Sequence, residues 1–248
     1  MGVVYIMWLR QLKKYWRSKP RMIGSLAQPL LFLLALGFGF GPIFEKAGGG
    51  SYINFLAPGI ISMSVLFTAM FAGIDVIWDR QFGFLKETLV APVSRARIML
   101  GRTLGGATVA SLQGFIVLLI SFFIGFRVQN IWYIPMALVF MFLIAMFFTS
   151  LGTAIASKLE DMQAFQLIMN FLIMPIFFLS GALFPLDSLP KAIVIITRFN
   201  PLSYGVDGIR GVLTGASHLG IGMDFSIMII ITAIILAIGS YLFSKIEV

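Results

Sequence analysis

Six long apolar segments run through this chain, at residues 22–44, 55–78, 104–126, 134–156, 164–184 and 224–243, and no stretch between them is long enough for a soluble domain. A transmembrane helix needs about 20 mostly apolar residues to cross the hydrocarbon core of a bilayer. The pattern predicts an all-α, polytopic membrane protein with six spans in one domain, 1–248. Composition agrees: 11% of the residues are charged, where a soluble domain carries about 25%. The apolar surface is therefore suited to lipid.

Several functional classes fall away early. With no cysteine there is no disulfide framework and no thiolate metal site, and a lone histidine, His218, cannot form a histidine cluster. Arg10, Lys13, Lys14, Arg17, Lys19 and Arg21 precede an apolar run longer than a signal h-region, so the first span is expected to be retained. Gly2 lacks the Ser or Thr at position 6 that myristoylation requires.

Positive charge sets the expected orientation. Lys and Arg concentrate in cytoplasmic loops, and here they gather in the N-terminal arm and in Arg80, Lys86, Arg95, Arg97 and Arg102 after the second span. Both regions are expected inside. Six crossings return the C-terminus, with Lys245, to the same face and put the loops at Lys46 and Arg127, and the segment 185–223, outside. That outer segment carries Lys191, Arg198 and Arg210, partly offset by Asp187 and Asp207. The net charge of +8 then belongs to an anionic inner membrane face rather than to nucleic acid.

Within residues 1–21, a helical projection puts Arg10, Lys13, Lys14 and Arg17 on one arc and Val4, Tyr5, Trp8, Leu12, Tyr15 and Trp16 on the other. This predicts an interfacial amphipathic helix that ends at Pro20 and serves as a topology anchor, a partner contact or both. Asp75 is the one carboxylate embedded in a predicted span; it is either an ion site or an interfacial group paired with arginine. Gln163, Gln166 and Asn170 share a face ahead of Pro175, for interhelical hydrogen bonds or for the lining of a substrate path, to which Met169 is added. Gly106, Ala110 and Gly114 have the small-xxx-small spacing of close helix packing.

No nucleophile and base pair is in evidence, and there is no GxxxxGK[ST] phosphate loop. Energy must come from a gradient or from a partner. The segment from Trp78 to Ser94 reads as a short amphipathic helix closed by Pro92, with Phe84, Leu85 and Leu89 expected to project as apolar knobs and Arg80 and Glu87 to add charge at the rim. It resembles the signature loop of ABC-2 type permeases. Asp79, Arg80, Gly83, Leu85, Leu89, Pro92, Val93 and Ser94 fit that pattern, while Gln81 and Phe84 replace its usual acid and threonine.

A second, distant run also resembles this family, in particular its drug-exporter-like (daunorubicin resistance) branch: Phe178 to Pro190, then Asn200, Pro201, Leu202, Ser203, Tyr204, Gly205, Val206, Asp207, Gly208, Ile209 and Arg210. Asn200 is a favoured N-cap and Pro201 a favoured first helical residue. Asp207 and Arg210 are expected one turn apart on the exposed side of that helix. The resemblance implies an extracellular re-entrant helical hairpin between spans five and six, with Pro185, Asn200, Pro201, Asp207 and Arg210 at an outer gate, and a coupling loop at 79–102.

It also implies the engine. Two separate ABC ATPase subunits would bind ATP and Mg2+, none of which this chain binds itself, and a second permease copy would complete a homodimer in the plasma membrane. The expected activity is export of a hydrophobic or amphipathic compound, drug-like or lipid-like, with polysaccharide or glycolipid export as the alternative on the same architecture. An ion-coupled secondary transporter built on Asp75 and the fifth-span stripe is a further alternative, although the three-span halves show no internal similarity.

Overall fold

In the computed structural model, residues 2–47, 50–90, 92–185 and 190–246 are described, and over them the chain is helical without a strand. Eleven α-helices follow one another: α1 Val3–Arg17, α2 Lys19–Lys46, α3 Tyr52–Phe71, α4 Ile74–Gln81, α5 Phe84–Val90, α6 Arg95–Ile124, α7 Ile134–Ala156, α8 Met162–Phe178, α9 Lys191–Phe199, α10 Pro201–Thr214 and α11 Ile221–Ser244. A short 3-10 turn, Ile131–Tyr133, leads into α7. Asp187 and Ser188, with the rest of 186–189, and Ala91 of the loop lie outside the described residues.

Among the described residues, five helical stretches are long and apolar enough to cross a membrane: Lys19–Lys46, Tyr52–Gln81, Arg95–Ile124, Ile131–Ala156 and Ile221–Ser244. The fifth expected segment differs. Instead of running over 164–184, α8 stops at Phe178 after 17 residues, a length of about 26 Å at 1.5 Å per residue. Beyond it the chain turns at Gly181, whose φ of +73° suits glycine. The third segment begins earlier than hydropathy suggests, because the basic residues Arg95, Arg97 and Arg102 belong to the first turns of α6 rather than to a loop.

The centre is α3, buried along most of its length between α2, α6 and α7. Close approach there depends on glycine: a Cβ on Gly73 would lie 2.4 Å from the Gly152 carbonyl oxygen, and one on Gly152 would lie 2.5 Å from that of Met70. The break between α3 and α4 falls at this contact. The small-residue stripe of α6 packs as its spacing suggests, with Gly106 against Thr149 and Ala72 and Gly114 against Val65.

The helix termini sort into two ends. At one, basic residues cap helices that finish there: Arg95 donates to the carbonyls of Ser244 at 2.6 Å and Ile246 at 2.9 Å. Arg80 donates to those of Ser157 at 3.2 Å and Leu159 at 3.3 Å. Cations at helix C-termini satisfy carbonyls left without an intrahelical partner and complement the helix dipole. At the opposite end, the Gln129 amide donates to the Leu213 carbonyl at 2.9 Å and the Tyr52 hydroxyl to that of Leu183 at 3.1 Å.

Candidate functional site

The basic end is built around two aspartates one turn apart on α4. Asp79 takes a bidentate pair from Arg10 on α1, at 2.6 and 2.8 Å, and a further hydrogen bond from Arg102 on α6. Asp75 accepts from Lys14 at 2.7 Å and lies 3.6 Å from Arg21 on α2. Arg10 and Lys14 are also one turn apart, so α1 and α4 match charge to charge in register. Four cations surround two buried carboxylates, which leaves positive charge in excess.

Of the four basic residues on one arc of residues 1–21, Arg10 and Lys14 thus turn to carboxylates of this chain, while Lys13 and Arg17 stay exposed. The helix ends at Arg17, and Pro20 lies in the first turn of the next one, which starts at Lys19. Its buried edge is Met7, Gln11 and Tyr15, seated on α6 where Gly101 and Gly105 have no side chain to block them. Arg10 and Lys14 turn inward because a desolvated carboxylate is a stronger partner than a hydrated headgroup. Burial pushes the Tyr15 hydroxyl above its ordinary value. It therefore stays protonated and donates to Gln113 Oε1, while Gln113 Nε2 donates to Ser25 Oγ at 2.7 Å.

The expected coupling residues divide. Asp79 is buried in its ion cluster, not presented to a partner, and Leu85, expected as a projecting knob, is 0% exposed and part of the core. Phe84 is half-buried beneath the Arg10 guanidinium, 3.9 Å from its ring centre. Amphipathicity marked the apolar face of α5 correctly but not its occupant, which is this chain's own core. Of Leu89, only its place in α5 is described. Arg80 and Gln81 hold the link from α7 to α8, Gln81 donating to the Glu160 carbonyl at 3.1 Å. What faces outward is Phe82 at 72% exposure, Val90 at 85%, Lys86, Glu87 and Pro92, with Gly83 at a φ of +80° between α4 and α5.

Beside the cluster opens a cavity of about 700 Å³. Lys14, Arg21 and Asp75 stand at its charged side with Trp78, and Pro29, Met63 and Phe67 at its apolar side. Sequence reasoning missed the cavity and the cluster around Asp79, although one of its two readings of Asp75, a carboxylate paired with arginine, agrees with Arg21 at 3.6 Å. The available signal was the equal four-residue spacing of Arg10 with Lys14 and of Asp75 with Asp79.

Of the three residues expected along a path, Gln166 and Asn170 are exposed, as is Gln163, but Met169 is buried. It belongs to the edge Phe165, Met169, Ile173 and Phe177 by which α8 packs on the bundle. At the opposite end, Asn200 caps α10 by accepting from the Leu202 amide at 3.0 Å and donates to the Ile176 carbonyl at 2.6 Å, with Pro201 opening the helix. Pro185 is half-buried at the end of the 179–185 turn.

Asp207 and Arg210 are buried, contrary to the exposed position expected for them. Asp207 accepts from the Ser217 hydroxyl and from the amides of His218 and Leu219, pinning the turn after α10. Arg210 donates to the Gly181 carbonyl at 3.0 Å and sits 4.1 Å from the Phe55 ring centre. Burial lowers its guanidinium to about 10 and the Asp207 charge opposes that shift, so it remains charged at neutral pH. Both polar groups look inward, where they satisfy backbone amides and a carbonyl of the adjoining turns.

Comparison with known proteins matches the architecture. Nodulation protein J of Rhizobium leguminosarum bv. trifolii is 33% identical over 198 residues, covering 78% of this chain and 74% of that protein. Nodulation protein J of Rhizobium meliloti (strain 1021) is 30% identical over 206 residues, 82% of this chain and 77% of the relative. The Cyanophora paradoxa protein ycf38, whose name describes a transport permease, is 30% identical over 205 residues, 80% of this chain and 69% of its own length. A family model described as ABC-2 type transporter matches residues 2–214, a stretch holding the α1–α4–α6 ion cluster, the α5 segment and the Asn200-capped helix. The chain is thus a membrane protein that belongs to the ABC-2 type transporter family.

Proposed function

We propose that this chain is the permease half of an ATP-driven exporter. Two copies associate with two separate ATPase subunits, which bind ATP and Mg2+, and move a hydrophobic or amphipathic compound out of the cytoplasm or inner leaflet by alternating access. In this reading the basic end is cytoplasmic, with both termini, following the distribution of Lys and Arg. Helix α8 is a further crossing, the fifth of six in chain order, and α9 with α10 forms the outer re-entrant hairpin. The exposed Gln163, Gln166 and Asn170 edge of α8 faces the second copy, since a polar stripe is costly against lipid.

The observation that carries the reading is the outer surface from the end of α4 through α5. Two exposed apolar residues, Phe82 ahead of α5 and Val90 at its end, flank the exposed charges of Lys86 and Glu87 on a frame fixed by Arg10, Arg80 and Arg102. Such a surface has the anatomy of a binding hot spot, and its rigid mounting would carry movement of an ATPase into α1, α4 and α6. The test is reconstitution with the ATPase in proteoliposomes, following a fluorescent amphiphile. Transport is expected to persist with ion gradients collapsed and to vanish when the phosphate-loop lysine of the ATPase is replaced. Transport by the permease alone, driven by a proton gradient, would overturn this reading.

A further inference from the structure

The cavity beside the ion cluster has a directional chemistry that export as such does not require. Its charged side is formed by Lys14 and Arg21, which share a single carboxylate oxygen, Asp75 Oδ1. Lys14 takes that oxygen at 2.7 Å, while Arg21 stands at 3.6 Å, too far for a hydrogen bond. A guanidinium presents five N–H donors in a planar fork suited to carboxylate or phosphate oxygens. Among the described residues, the Arg21 fork donates no hydrogen bond. The two cation side chains are 38% and 40% exposed and the Asp75 side chain 6%, so a ligand entering here meets positive charge.

Away from the charges the walls turn apolar. Met63 lies about two turns before Phe71 on α3, roughly 12 Å at 1.5 Å per residue, and Phe67 and Pro29 line the same cavity. Trp78 stands beside the charged residues, at the boundary where indole rings settle in a membrane. The volume, about 700 Å³, falls in the range of sites that enclose a ligand of drug or lipid size. Gly24 on α2 lines this space, and a Cβ built on it meets nothing within 4 Å.

We propose that this cavity binds an amphiphile with an anionic headgroup, the Arg21 fork and Lys14 taking the head and the wall of Pro29, Met63 and Phe67 the tail. The inference narrows the cargo class of the exporter and rests on that reading for its meaning, but binding can be measured without transport. An anionic membrane lipid and an anionic amphiphile dissolved in the cytoplasm share this chemistry.

The test uses the full chain in nanodiscs with Trp8, Trp16 and Trp132 replaced by Phe, so that Trp78 reports alone. Phosphatidic acid with brominated chains is expected to quench Trp78 saturably, about tenfold more effectively than brominated phosphatidylcholine. Arg21→Gln is expected to remove most of that preference. Gly24→Phe, which fills the void, is expected to abolish quenching while the melting temperature holds. In detergent, dodecyl phosphate should protect Trp78 from a brominated probe where inorganic phosphate does not; protection by dodecyl phosphate with no preference for phosphatidic acid assigns the site to a dissolved amphiphile. Equal quenching by both lipids together with no protection by dodecyl phosphate overturns the proposal. So does quenching by phosphatidic acid that both variants leave unchanged, and so does protection by inorganic phosphate equal to that by dodecyl phosphate. Binding with these properties in a protein that transports nothing with its ATPase would instead sink the exporter reading alone.

Discussion

Arg10 and Asp79, 69 positions apart in the chain, meet in a two-pronged pair, Nη2 to Oδ1 at 2.6 Å and Nη1 to Oδ2 at 2.8 Å. Arg102 approaches the same carboxylate from α6, so one aspartate joins three helices. Its removal should cost more than a surface pair would. Asp79→Ala leaves the buried Arg102 without its counter-ion and is expected to lose about 3–5 kcal/mol of stability. The double variant Asp79→Leu with Arg102→Leu should lose less than Asp79→Ala, because only the half-buried Arg10, and no longer the fully buried Arg102, is left without its counter-ion. Thermal unfolding in detergent measures both; a double variant less stable than Asp79→Ala would contradict the account.

From Phe82 through α5, position decides between folding and partner contact. Leu85→Asp puts a charge into the core and should unfold the basic end, whereas Phe82→Asp and Val90→Asp alter exposed surface and should leave the melting temperature unchanged. The exposed variants are expected to lose co-purification of the ATPase. Normal assembly and transport by both would show that this surface is not the contact.

Gly152→Ala should destabilise the α3–α7 crossing by about 1–3 kcal/mol, since the added methyl would overlap the Met70 carbonyl. Gly41→Ala, where nothing lies within 4 Å, is the matched control and should be neutral or slightly stabilising. Equal melting temperatures for the two variants would show that the crossing does not depend on glycine.

Asp224, in the first turn of α11, is buried beside Asp207, and among the described residues no N–H or hydroxyl donor reaches either of its carboxylate oxygens. An amide there could donate to Asp207 in place of a carboxyl–carboxyl contact. Asp224→Asn is therefore expected to raise stability at pH 8 by about 1–2 kcal/mol. A lower melting temperature at that pH would mean that the carboxylate has a role that this packing does not reveal.

Orientation is accessible through single cysteines, as the chain has none of its own. Ala216→Cys, exposed in the turn after α10, should react with an impermeant reagent in intact cells, and Lys86→Cys on α5 only after permeabilisation. The reverse pattern would invert the topology. Ala216 is the better probe than Ser217, whose hydroxyl is committed to Asp207.

The sequence by itself determined what depends on local chain chemistry. Runs of apolar residues dictate helices for a bilayer, Asn200 followed by Pro201 dictates the start of α10, and the Asp79 to Ser94 motif together with Asn200 to Arg210 carries the family. It could not say which partner each polar residue meets. Amphipathicity put Arg10 and Lys14 on one arc of α1, but lipid headgroups and Asp75 or Asp79 satisfy the same arc equally well on paper. The same ambiguity placed Leu85, Asp207 and Arg210 outside, where packing puts them within. Only the tertiary structure chose, because pairs such as Arg10 with Asp79 and Tyr15 with Gln113 are brought together by the crossing of helices. The cavity at Lys14 and Arg21 arises the same way: it is space left between α1, α2, α3, α4 and α6, and space between helices has no signature in any one of them.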